Sequence, residues 1–252
     1  MEYSPTLAVA TAGFEIIAAT WAFTLAREKR SADRPRRSGD RTIAITTGII
    51  LFLLAGYQLT EVAICADVAD AGFLPRLAFI VVTWLPALGI LLVARIHRPP
   101  SRFLCACAIS MLTISAGIVT WITLDQSFAA ASVCNAVFAR YAHTYPRFQL
   151  YGAYYWAGLL GMIALSAYGI RTSKDRHRRR LLAHVYVGTL GFVLPSIAVS
   201  YFVPATRSAL PSILCHFALI LAVLLTRMLW VVKLAGEEAS EPDSLRPERQ
   251  RT

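Results

Sequence analysis

Residues 73–93 read FLPRLAFIVVTWLPALGILLV, and a single charge, Arg76, stands among those 21 residues. A helix rises about 1.5 Å per residue, so the run reaches about 30 Å, the thickness of a bilayer's hydrocarbon core. Hydrocarbon offers no hydrogen-bond partner to backbone N–H and C=O groups, which leaves a helix as the form a lone apolar run can take there. Working outward, six more runs of similar length and apolarity can be counted. The seven span Thr6 to Ala26, Ile43 to Cys65, Phe73 to Val93, Phe103 to Leu124, Tyr151 to Ile170, Leu181 to Phe202 and Ala209 to Thr226. The alternating pattern of a β-barrel is absent.

Composition agrees with this. Of 252 residues, 56% are hydrophobic and 16% charged, against roughly a quarter charged in soluble domains. The expected fold is all-α, a polytopic membrane protein with one seven-helix domain over residues 1–235. A polar tail of mixed charge, residues 236–252, is too poor in apolar side chains to fold and reads as disordered. The start of the chain lacks a basic n-region and its first run is of spanning length, so no cleavable signal is expected.

A net charge of +10 would suggest nucleic acid in a soluble protein. Here the basic residues stand in short runs between apolar stretches, where they act as topology signals. The loops around Arg27 to Arg41, Arg95 to Arg102 and Arg171 to Arg180, with the C-terminal end, hold 21 of the 25 Lys and Arg. Arg76, Arg140, Arg147 and Arg207 fall on the other side. Carrying cations across lipid is unfavourable, so the N-terminus is expected outside and the C-terminus in the cytoplasm, in an inner (plasma) membrane. The basic inner loops are suited to anionic lipid, and no nucleic-acid partner is expected.

A few residues need a reason to be where they are. Glu15 falls near the middle of the first helix, where an acid costs at least ~2.5 kcal/mol on the insertion scale. It reads either as a proton carrier or as a structural hydrogen bond to a neighbouring helix. Gln58 and Glu61 share a helix face with Tyr57 near the outer end of the second helix. Arg76 opens the third helix after a short loop, so a Glu61–Arg76 ion pair is within reach. Tyr57, Gln58, Glu61 and Arg76, joined by Asp125, form the candidate lining of an outward-facing ligand or proton cavity.

Cys65 and Cys134 both fall on the outer side, an oxidising compartment in a bacterial cell, and are a candidate disulfide. Cys105-x-Cys107 lacks the further ligands of a metal site. His184 and His216, in adjacent helices, differ in depth by on the order of 10–15 Å, too far for one haem, and each is expected to bond locally. Pro86 and Pro195 free the carbonyls of Val82 and Gly191. In the segment 125–150, Phe128, Ala131, Val133, Phe138 and Tyr141 recur with roughly helical spacing, which predicts a short interfacial helix. The aromatics that follow, Tyr145 to Trp156, read as an interfacial belt. A vestibule or lid over a site is the other reading of this segment.

The lysines, Lys29, Lys174 and Lys233, all lie at or beyond helix ends, which excludes a retinal Schiff base. The H-E-x-x-H, G-x-S-x-G and phosphate-loop patterns are absent, and no cofactor or metal is implied. The first three helices resemble bacterial multi-helix membrane proteins that carry a Q-x-x-E motif in the second helix, here Gln58-Leu59-Thr60-Glu61, before a helix with Trp and Pro, here Thr83-Trp84-Leu85-Pro86. That resemblance implies no established activity and assigns no catalytic residue. Three functions stay open: a receptor-like sensory bundle with an outward polar pocket, a small-solute or proton-coupled transporter using Glu15, and a structural subunit of a membrane complex.

Overall fold

A computed structural model describes residues 5–27, 38–66, 72–97, 101–125, 127–134, 139–143, 147–203 and 209–238. Seven of its helices are long and apolar enough to cross a membrane. They are α1 (Thr6–Arg27), α2 (Ser38–Cys65), α3 (Phe73–Ile96), α4 (Arg102–Leu124), α5 (Arg147–Thr172), α6 (Arg176–Phe202) and α7 (Leu210–Glu238). Six of the seven apolar runs lie within one of them, the last begins one residue before α7, and several helices continue into flanking polar turns. α7 runs on to Glu238, past the expected start of the tail at Gly236, and residues 239–252 lie outside the described residues.

α3, apolar on every side, is buried at the centre. It touches α2, α4, α5 and α6, while α7 packs on α6 and closes against α1 and α2. The outside is apolar as well: Ile17, Phe52, Phe103, Ile109, Leu160 and Tyr201 are exposed, whereas Glu15, Gln58 and Glu61 are buried. That inversion of the soluble pattern is what a lipid solvent selects.

Without a hydrophobic force between helices in lipid, close approach of backbones has to supply the packing. Small residues mark where it does. Ala18, Ala19 and Ala22 make a smooth face on α1, and a Cβ on Gly48 of α2 would meet Phe23 at 2.9 Å. At the α3–α5 crossing, a Cβ on Gly158 would fall on the Pro86 ring, and one on Gly89 would fall on the Met162 thioether.

Pro86 and Pro195 lie inside their helices, and hydroxyls answer the loosened backbone. The bonded carbonyls stand three residues before each proline, one residue beyond those expected. Tyr154 of α5 donates from its hydroxyl to Thr83 O at 2.6 Å, and Ser196 Oγ donates to Phe192 O at 2.6 Å. Ser115 of α4 lies 2.6 Å from the same Tyr154 hydroxyl, so one phenol ties three helices.

The segment between α4 and α5 corrects the sequence reading. It holds an antiparallel hairpin, β1 (Ala129–Cys134) and β2 (Ala139–His143), where an interfacial helix was expected. Helical spacing would put Phe128, Val133 and Tyr141 on one face, yet Phe128 and Tyr141 are buried and Val133 is 63% exposed. Phe138 lies outside the described residues. An aromatic cluster decides the outcome: Phe79 of α3 meets Phe128, Tyr141 and Tyr151 edge-on at 5.4, 5.0 and 5.3 Å. Tyr151 and Tyr154 are therefore core residues where an interfacial belt was expected.

At the opposite end, Arg178 of α6 donates from Nη1 to Ile96 O, satisfying a terminal carbonyl of α3, and from Nε to Asp175 at 3.0 Å. Asp175 caps α6 by accepting from His177 N at 2.9 Å. Burial pushes the Asp175 carboxyl up, but the hydrogen bonds from His177 and Arg178 outweigh it and hold it below its ordinary value. His97 stacks on Tyr168, and burial, then the Arg178 charge, lower its pKa below the usual 6.5. Its contribution to stability is thus complete above that value and declines as pH falls below it.

The α3–α5 contact is the one a single methyl group should break. Gly158→Ala is expected to destabilise the bundle by about 1–3 kcal/mol, because the new Cβ meets a rigid ring in a packed seam. Gly117→Ala on α4, with nothing within 4 Å, should be neutral or slightly stabilising. Thermal unfolding of both variants in one detergent gives the comparison, and equal midpoints would contradict the packing.

Candidate functional site

Polar residues of α2 and α7 meet beneath the hairpin. Tyr57, Gln58 and Glu61 occupy one face of α2 and are at most 1% exposed. Opposite them, Ser212, Cys215 and His216 sit at i, i+3 and i+4 on α7 and so share a face. Ser212 Oγ lies 2.8 and 2.9 Å from the two Glu61 oxygens, a bifurcated bond across 151 positions of sequence. Gln58 Nε2 donates to the Cys215 carbonyl at 2.9 Å.

The hairpin completes the enclosure from above. The Ala139 N–H donates to Ser212 Oγ at 3.4 Å and is close enough to act on the Glu61 carboxylate. The Tyr57 hydroxyl stands 3.1 Å from the Tyr141 hydroxyl of β2 and is close enough to act on Glu61. Glu61 therefore accepts from Ser212, with the His216 ring, the Ala139 amide and the Tyr57 hydroxyl close enough to act on its charge.

Two covalent and register constraints hold the cover in place. Cys65, one turn beyond Glu61 on α2, is bonded to Cys134 with Cα atoms 5.6 Å apart, the disulfide expected from the sequence. Cys134 pairs with Ala139 across the ladder. The amide that donates to Ser212, Glu61's partner, is thus the ladder partner of the half-cystine that anchors the hairpin to Glu61's own helix.

Arg76 and Asp125 do not join this group. Arg76 Nε donates to Gly72 O at 2.9 Å, and among the described residues no ion pair forms between Arg76 and Glu61. The physical reason is the rotation of α2, which turns Gln58 and Glu61 toward α7. Asp125 caps the end of α4 and accepts from Ser127 N and Oγ at 3.1 and 2.7 Å. Glu15 approaches from α1, fully buried, with neither carboxylate oxygen bonded among the described residues. It and Glu61 both act on the Cys215 thiol.

Several of these partners escaped the sequence reading. His216 was expected to bond locally and does, Nδ1 lying 2.8 Å from Ser212 O; a carbonyl only accepts, so that nitrogen carries the hydrogen. Its shared face with Ser212 was the available signal that α7 presents a polar patch. Tyr141 and Ala139 left no such trace, because their role depends on a hairpin that periodicity concealed. His184 also bonds locally, with Nδ1 2.7 Å from Arg180 O.

Ser212 donates to a carboxylate, and the His216 ring bonds the serine's carbonyl and not its hydroxyl, so among the described residues these three do not form a relay that would activate the serine oxygen. Among the described residues no three His, Cys, Asp or Glu side chains are grouped to hold a metal ion. Below the polar group, a cavity of about 30 Å³ is lined by Leu54, Leu85, Tyr155, Met162, Phe192 and Cys215, large enough for a water but apolar enough to stay dry. No family model matches the chain, and no curated protein matches it.

The hairpin should shield Ser212 only while it is clamped. In detergent, Ser212→Cys is expected to resist a hydrophilic maleimide while the disulfide is intact and to react in the Cys65→Ser/Cys134→Ser background. Peptide mapping locates the label, and equal reactivity in both backgrounds would show that the clamp does not control access.

Proposed function

We propose that the protein is a receptor-like, sensory seven-helix bundle whose ligand is a small, positively charged hydrogen-bond donor held at Glu61. One observation carries this: Glu61 is fully buried, accepts from the neutral Ser212 hydroxyl with the His216 ring nearby, and among the described residues no Lys or Arg is paired with it. A carboxylate has about four lone-pair positions and gains most from a charge-assisted partner. Tyr57, Gln58 and Tyr141 supply the orienting polar groups around it, and the hairpin is the cover that must yield for entry. The distribution of Lys and Arg supports an inner (plasma) membrane setting, with the hairpin end outside, the C-terminus in the cytoplasm and anionic lipid at the basic loops.

A second reading, a small-solute or proton-coupled transporter, draws on Glu15, whose carboxylate, deep in the bundle, has no bonded partner among the described residues. It differs from the first in requiring net movement of solute. Accumulation of methylammonium in proteoliposomes, lost in Glu15→Gln, would favour transport over sensing.

The receptor reading is tested by thermal unfolding of the chain in nanodiscs with millimolar methylammonium, ethanolamine or putrescine, before and after reduction of the disulfide. At a hundredfold excess over the dissociation constant a bound probe adds about 2.7 kcal/mol to stability. At least one probe is expected to stabilise the wild type and to lose that effect in Glu61→Gln. Indifference of the wild type to all three, reduced and oxidised, rejects an amine-binding site.

A further inference from the structure

Among the described residues, three oxygens buried where α1, α2 and α7 meet have no hydrogen-bond partner: both carboxylate oxygens of Glu15 and the amide oxygen of Gln58. The side chains that carry them are 0% and 1% exposed. Both address the same turn of α7. Gln58 donates from Nε2 to the Cys215 carbonyl, which leaves its oxygen turned away from that bond, and the Glu15 charge acts on the Cys215 thiol.

The depth of Glu15 follows from its neighbours. One turn further along α1, Ala18 and Ala19 pack against Leu51 and Ala222, and beyond them Ala22 and Leu25 pack against Ala44 and Leu229. α1 and α7 therefore descend together, and Glu15 stands about level with the turn that follows Cys215. The other titratable groups facing this seam are Tyr57 and Glu61 on α2 and Cys215 and His216 on α7, and His216 is engaged with Glu61. Arg27, the other charged residue of α1, lies at the helix's far end.

All three unpartnered atoms are acceptors. A buried acceptor without a donor is costly, and a buried carboxylate without a counter-charge more so. What the seam lacks is positive charge. A proton would turn the Glu15 carboxylate into a hydroxyl donor suited to an amide oxygen, and an alkali cation would take the same oxygens as ligands.

We propose that the Glu15 carboxylate and the Gln58 amide oxygen form a binding site for a small monovalent cation, a proton or a sodium ion. This site is separate from the amine site at Glu61 and stands or falls independently of it. Its occupant neutralises α1 against α2 and α7, so its release would loosen the contact of α1 with the rest of the bundle.

The experiment is thermal unfolding of the full chain in nanodiscs, compared between wild type and Glu15→Gln. One arm varies pH from mildly acidic to mildly alkaline in choline chloride, and the other replaces choline with sodium at alkaline pH and constant ionic strength. His97 and Asp175 titrate in both proteins, so the difference between the two curves is the quantity read. A proton site makes the wild type's folded-to-unfolded ratio rise, relative to the variant, about tenfold for each unit of acidification within its range. A sodium site makes it rise about tenfold for each tenfold increase in sodium above the dissociation constant.

Glu61→Gln is expected to keep either response, which separates failure here from failure of the amine site. Infrared difference spectra of Glu61→Gln keep the proposal testable should Glu15→Gln not fold. They are expected to show a carboxyl signal that changes between protonated and ionised forms with pH, or shifts on sodium addition. Identical pH and sodium dependence in wild type and Glu15→Gln, or infrared spectra silent to both ions, would overturn the site.

Discussion

Hydrocarbon withholds hydrogen-bond partners, so most polar atoms in the seven helices are answered by protein. Short hydroxyls solve this within their own helix: Thr83 donates to Phe79 O, Thr189 to Val185 O and Ser196 to Phe192 O. Such bonds are local and say nothing of neighbours. Longer and charged groups cannot fold back so easily, and their partners lie across the bundle. Gln58 and Glu61 draw α7 onto α2, and Tyr154 draws α4 and α5 onto the proline-loosened turn of α3. The polar minority thus sets which helices meet and at what depth, while small residues let them approach.

The same constraint accounts for the hairpin. A carboxylate near the end of α2 would face either lipid headgroups or water without a cover, and the cover it has is built to donate. β2 places a backbone amide beside Ser212 and Glu61 and a tyrosine hydroxyl beside Tyr57. The ladder fixes the hairpin's register, the disulfide fixes its position on α2, and Phe79, Phe128 and Tyr151 fill the space beneath. A closed polar chamber with a covalently tethered roof is a different object from the open outward cavity expected from the spacing of Tyr57, Gln58 and Glu61. Access becomes a question of moving the roof.

Much of this was legible along the chain. The seven runs, the burial demanded of Glu15, the shared face of Gln58 and Glu61 and the Cys65–Cys134 bond all follow from one-dimensional facts: run length, depth within a run, helical spacing and compartment. The hairpin was not, because its short, mixed strands overlap the helical period by chance and because the aromatics that decide its conformation come from α3 and α5. Arg76 was misassigned as a partner of Glu61 for a related reason. Sequence nearness across a short loop suggested contact, whereas the direction in which α2 faces decided against it.

The sequence by itself determined how many helices there are, about where they begin and end, and which residues could not be left to lipid. Transfer from water to hydrocarbon is nearly additive over a run of side chains, so those properties need no knowledge of neighbours. Only the tertiary structure decided which way each helix turns about its axis. Helices that are apolar nearly all round carry little preference of their own. The choice falls to a few bonds between residues far apart in the chain, such as Ser212 with Glu61, whose geometry exists only once the bundle has closed.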